Sequence, residues 1–260
     1  MTDNWQIPEN HPINTEARAR EITALISKPS REFIASCCVP LYWWRTVGDD
    51  ALTILGNGTV TLVQTPSRTI GITANHVVTG CLEAFDTGSV VAQLADASLH
   101  ELRARLIAQS DELDLATFDL HGLTDRFGKG WFSKSPLHGW PPAPPQEGRG
   151  IMIGGYPGIA REVIAPRSVS FGIFTALGIA RTVSHDQISC LFEREYMMDD
   201  DGLQPNTDLG GISGGPVITA IESPSFLISY RLGGIVSEAS SELEKVFAKR
   251  ADFIGEDGSF

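Results

Sequence analysis

Three side chains of this 260-residue chain have types that together do chemistry, and the chain offers them in a usable order. Gly211-Ile212-Ser213-Gly214-Gly215-Pro216 presents a hydroxyl in a turn built almost wholly of glycine. Backbone without side chains can approach a ligand closely and adopt dihedrals that other residues avoid. Upstream lie His76, within Thr73-Ala74-Asn75-His76-Val77-Val78, and Asp114, within Asp111-Glu112-Leu113-Asp114-Leu115-Ala116. A serine hydroxyl is a poor nucleophile until an imidazole takes its proton and a carboxylate holds that imidazole in the right tautomer. Singly, each residue has a plainer reading: a core histidine, a solvated acidic turn, a serine capping a turn. Their conjunction points to nucleophilic catalysis, with Ser213 as nucleophile, His76 as base and Asp114 as its orienting partner.

The elements that must position them are mostly strands. Residues 14–27 read as a helix, with Ala17, Ile22, Leu25 and Ile26 at helical spacing before Lys28-Pro29. Short β-rich runs follow, such as Thr59-Val60-Thr61-Leu62-Val63 and Thr69-Ile70-Gly71-Ile72-Thr73, broken by Gly, Asp and Ser. Prolines then cluster, including Pro136 and Pro141-Pro142-Ala143-Pro144-Pro145, and proline cannot donate to a sheet ladder. Strand texture resumes at Ile151, and residues 241–253 return to helical spacing. The organisation expected is an extension with a helix (1–35), a β-half carrying His76 and Asp114 (36–122), a connector (123–147), and a β-half carrying Ser213 with a closing helix (148–260). A fold of barrel or sandwich type follows. The catalytic set is then split between halves, in a cleft where water is excluded.

Composition narrows the partners. A net charge of −12 argues against nucleic acid and against an anionic membrane surface, both of which need clustered Lys and Arg. No apolar run approaches the ~20 residues of a membrane span. The polar stretch from Met1 to Pro12 does not read as a secretion signal. Cys37, Cys38, Cys81 and Cys190 form neither a disulfide framework nor a metal-ligand pattern, so reduced thiols in a cytoplasmic protein are expected. Asp199-Asp200-Asp201-Gly202 lacks the ligands that complete a calcium loop. No metal and no cofactor is expected.

Several segments resemble trypsin-like serine peptidases. Thr73 to Val78 resembles their TAAHVV segment, Asp114-Leu115-Ala116 their D-[IL]-A, and Gly211 to Pro216 their G-[DN]-S-G-G-P. Ile153-Gly154-Gly155-Tyr156-Pro157-Gly158 is similar to the IGYPG strand of bacterial members, and Leu232 to Ser237 to the LxGIVS strand flanking the substrate. The resemblance implies an all-β fold of two six-stranded antiparallel Greek-key barrels with the site between them. It implies an endopeptidase working through an acyl-enzyme on a polypeptide substrate. The backbone N–H groups of Gly211 and Ser213 would form the oxyanion hole. Ser237, Glu238 and Ala239 would pair with the substrate backbone, and Thr207, beside Asp208, would stand at the base of the specificity pocket.

Two departures qualify the match. Ile212 stands where the family has Asp or Asn, the residue that in secreted digestive members pairs with a newly cut N-terminus. The serine loop must therefore be held by packing, or be ordered by substrate or a regulatory protein partner. Thr207 lacks a carboxylate, leaving Asp208 and the rim residue Glu238 to favour a basic residue before the cleaved bond. Two rivals are weighed. The G-x-S-x-G elbow of α/β-hydrolases needs a histidine after the serine, and none follows residue 213. A protease-like fold that binds protein or peptide with little turnover is the other.

Overall fold

The computed structural model describes residues 29, 31–47, 51–99, 101–123, 140–165, 168–197, 208–222, 228–240 and 244–260. The helix expected over 14–27, most of the connector, the Asp199–Gly202 stretch and Thr207 lie outside them.

A short helix, α1 (residues 31–37), leads into β1 (Cys38–Val47), β2 (Ala51–Gln64) and β3 (Thr69–Thr73). Helix α2 (Asn75–Asp86) follows at once, and then β4 (Val91–Leu94), β5 (Ala97–Ser98), α3 (Leu102–Arg105), β6 (Leu106–Ser110) and β7 (Leu115–Asp119). These seven strands form one antiparallel sheet in the order β5-β4-β1-β2-β3-β7-β6. The expected closed six-stranded first barrel is thus, among the described residues, a seven-stranded sheet with two edges. One edge strand, β5, is two residues long, and the other, β6, slips register between Leu106 and Ala108, so neither offers a regular ladder for closure.

The second half matches expectation more closely. Strands β8 (Gly150–Gly155), β11 (Phe174–Val183), β12 (Gln187–Met197), β13 (Pro216–Glu222), β14 (Ile228–Ser240) and β15 (Lys245–Arg250) close a six-stranded barrel in the order β11-β12-β15-β14-β13-β8. A hairpin of β9 (Arg161–Ala165) and β10 (Ser168–Phe171) projects between β8 and β11. The closing helix expected over 241–253 is corrected: its described part is the barrel strand β15, ending in a single 3-10 turn, Ala251–Phe253. Paired with β12 on one side and β14 on the other, β15 satisfies its backbone in both directions, a tertiary gain that overrides local helical spacing.

Alternation along the strands builds three apolar clusters. Val39, Leu41, Val60, Leu62 and Phe118 face α2, which contributes Val77, Val78 and Cys81. Ile153, Phe174, Ile188, Val217 and Val246 fill the barrel. Between them Val63, Ile70, Ile72 and Leu115 of the sheet meet Met152, Ile218 and Ile235 of the barrel, with Ile34 of α1 wedged in. Full burial of each such side chain contributes about 1.5–3 kcal/mol, so the two halves are bonded by a core of their own. Among the described residues no helix is long and apolar enough to cross a membrane.

Candidate active site

His76 stands in the first turn of α2, on the short link from β3. Its helix has no side-chain N-cap of its own. Asp114 supplies the missing acceptor: one carboxylate oxygen takes the His76 backbone N–H at 3.0 Å. A negative charge there also meets the positive end of the helix. The same carboxylate takes His76 Nδ1 at 3.0 and 3.1 Å, which leaves Nε2 as the outward nitrogen. Asp114 reaches this position from a tight turn between β6 and β7, with φ at +47°, a region that Asp tolerates better than most residues. Asn75 braces that turn. Its amide donates to Asp111 at 2.6 Å and its carbonyl accepts from Gln109 at 2.9 Å, although the side chain is only 4% exposed. The imidazole pKa is raised, first by the hydrogen bond to Asp114, against an opposing effect of burial, with the charges of Asp114 and Glu238 adding to the rise.

Ser213 sits in the turn between Leu209 and β13. Its hydroxyl donates to the Ser237 carbonyl oxygen at 3.0 Å and makes no hydrogen bond to His76. Around it the backbone is almost fully engaged. Gly210 N–H donates to Asp208 Oδ1, Ile212 to Leu209, Gly214 to Val236 and Gly215 to Ile212. The N–H groups of Gly211 and Ser213, on either side of Ile212, have no hydrogen-bond partner among the described residues. Gly211 (φ +104°) and Gly214 (φ +91°) are both positions where an L side chain would be strained, and a Cβ there would also collide with Asn57 and with the Thr59 carbonyl.

A cleft of about 500 Å³ is lined by His76, Asp114, Ser213, Glu238, Asp208 and Lys249 among others. The sheet and the barrel thus both contribute to it. Ser237, Glu238 and Ala239 run along its wall on β14, where a register shift between Val236 and Glu238 breaks the pairing with β15. Ser237 fills that gap by donating its hydroxyl to the Phe247 carbonyl. Glu238 is exposed. Asp208 lines the cleft, but one of its oxygens is already taken by Gly210 N–H at 2.8 Å. Among the described residues no cluster of His, Cys, Asp and Glu could hold a metal ion. Burial pushes the thiols of Cys81 and Cys190 up to about 12, so neither is a thiolate at neutral pH.

A family model described as a trypsin-like peptidase domain matches residues 56–222, more than half of the chain. The chain belongs to the trypsin-like peptidase family. No curated protein matches it. The matched span runs from the glycine that opens the β2 segment Gly56-Asn57-Gly58-Thr59 to the end of β13, so it carries His76, Asp114 and Ser213.

The trypsin-like architecture also involves residues that sequence reading passed over. Lys249 enters the cleft wall from β15, paired with Asp186 at 3.4 Å. Asn57, Thr59 and Thr61 alternate on the face of β2 that touches the serine loop. Their period of two was visible in the sequence, but strand alternation alone does not say what a polar face meets.

Proposed function

We propose that the protein is a serine endopeptidase with Ser213 as nucleophile, His76 as general base and Asp114 as the group that fixes its tautomer. The observation that carries the reading is the pair of unpartnered N–H groups, Gly211 and Ser213, flanking one hydroxyl in a cleft that also holds the His76–Asp114 pair. Two such donors are what a developing oxyanion requires, and each is worth on the order of 100- to 1000-fold in rate. The substrate strand lies along Ser237 to Ala239, adding to β14 where its own pairing is interrupted. The Ser213 hydroxyl turns about its Cα–Cβ bond from the Ser237 carbonyl toward His76 Nε2, gives up its proton there and attacks the scissile carbonyl. The same imidazole then protonates the leaving amine, and water completes the cycle by the reverse route. Asp208 and Glu238 favour a basic residue near the cleaved bond, since Lys249 is already neutralised by Asp186.

One observation favours a second reading, a binding module with little turnover: the hydroxyl bonds Ser237 rather than His76. A fluorophosphonate probe separates the two. Labelling of the intact chain that disappears in Ser213→Ala and falls steeply in His76→Ala supports the peptidase. An intact chain that stays unlabelled supports the binding module.

A further inference from the structure

Each of the two unpartnered N–H groups belongs to a peptide whose carbonyl is tied down. Gly211 N–H shares its peptide with the Gly210 carbonyl, which accepts from Gly158 N–H at 2.7 Å. Ser213 N–H shares its peptide with the Ile212 carbonyl, which accepts from Gly215 N–H at 2.8 Å. In a trans peptide the N–H and C=O point in opposite directions, so fixing one carbonyl aims its N–H.

The partners that hold these peptides trace back to β2. Thr59, fully buried, uses every polar group it has. Its N–H donates to the Ser213 carbonyl at 2.8 Å, and its hydroxyl donates to the Gly211 carbonyl at 2.9 Å. That hydroxyl also accepts Tyr156 N–H at 2.8 Å, and the Thr59 carbonyl accepts the Thr73 hydroxyl at 2.7 Å. Two residues earlier, the Asn57 amide donates to the Tyr156 carbonyl at 3.1 Å, and its oxygen accepts from Arg161 at 3.2 Å. Asn57 and Thr59 thereby grip both sides of Tyr156, two residues before the Gly158 N–H that orients the first donor. Ile212, 1% exposed within the barrel core, adds packing but no polar contact from its side chain.

We propose that Asn57 and Thr59 are positioning residues that preform the oxyanion-binding loop from the opposite half of the molecule, in place of a charged partner at position 212. This rests on the peptidase reading for its kinetic consequence, but its structural claim stands apart from turnover. The variants are Thr59→Val, which keeps the shape and deletes the hydroxyl, Thr59→Ser, which restores it, and Asn57→Ala at a half-buried site. Two measurements are made on the full chain: steady-state cleavage of a peptide library hit, and amide hydrogen exchange over residues 156–158 and 208–215. Thr59→Val lowers kcat by about 10- to 100-fold with KM little changed, short of the ~100- to 1000-fold loss from deleting a donor outright. Affinity for a peptide aldehyde, which mimics the oxyanion, falls in parallel. Exchange in both segments accelerates, and Thr59→Ser recovers kcat and protection. Asn57→Ala shows the same pattern, and it decides the matter if Thr59→Val does not fold. Unchanged exchange and unchanged kcat in the folded variants overturn the proposal. A wild-type chain that neither cleaves nor takes the fluorophosphonate defeats the peptidase reading instead, and the exchange result then still decides the brace.

Discussion

At the scale of single residues, His76 and Ile212 carry the sharpest consequences. With His76 as the proposed base, which works only when neutral, its raised pKa places the acidic limb of kcat/KM above the ordinary value of 6.5. Glu238 contributes to that rise, so Glu238→Gln moves the limb to lower pH, which a pH–rate profile reads directly. Folding responds with the opposite sign. The protonated imidazole is favoured by its folded surroundings, so its contribution to stability is full below 6.5 and is lost as pH rises through the folded value. Ile212 is seated among apolar barrel side chains such as Ile153, Phe174 and Val217, which offer a carboxylate no counter-charge. Ile212→Asp therefore costs roughly 3–5 kcal/mol, the penalty of an unpaired buried charge, measurable by urea unfolding.

At the scale of elements, the tight turn between β6 and β7 and the start of α2 are one unit. Asn75 joins them through Gln109 and Asp111, and Asp114 joins them again through the His76 backbone. Asn75→Ala removes two side-chain hydrogen bonds whose other partners, Gln109 and Asp111, are exposed, and costs about 1–2 kcal/mol of stability, again by denaturant titration. Its kcat falls as well, because the carboxylate that orients His76 loses its support. Strand β15 is the second case. Ala248 is buried between β12 and β14, so Ala248→Pro removes a ladder donor in the middle of the closed barrel. A loss of about 3 kcal/mol or more is expected, together with a drop in the strand signal by circular dichroism. The sequence showed the alternation Val246, Ala248 as readily as a helical spacing, and a six-residue run does not separate the two periods.

For the whole molecule, the site exists only while the halves are docked. His76 and Asp114 belong to the sheet, Ser213 and Ser237 to the barrel, and the intervening cluster of Ile72, Leu115, Ile218 and Ile235 holds them together. Ile72→Ala and Ile235→Ala each remove buried methyl groups from this seam and cost about 2–5 kcal/mol. Activity and the unfolding transition shift together if the halves unfold as one cooperative unit. Two separate transitions, with activity lost at the first, would show that docking is the weaker link.

The sequence by itself determined which groups are on offer for the proposed chemistry: the residue types, their order, the glycines that let a hydroxyl stand in a bare turn, and the period-two texture of the strands. Each of these is local, and a few residues suffice to express it. The family resemblance, rather than any spacing, named Gly211 and Ser213 as donors, and neither N–H has a hydrogen-bond partner among the described residues. What the tertiary structure decided was long-range. It decided that the first sheet keeps two edges, that residues 245–250 close a barrel rather than coil, and that the loop around Ile212 is clamped by side chains about 150 positions away in the chain. Those outcomes depend on which backbone groups meet across the fold, and hydrogen bonds between distant segments leave no period or spacing in the chain that makes them.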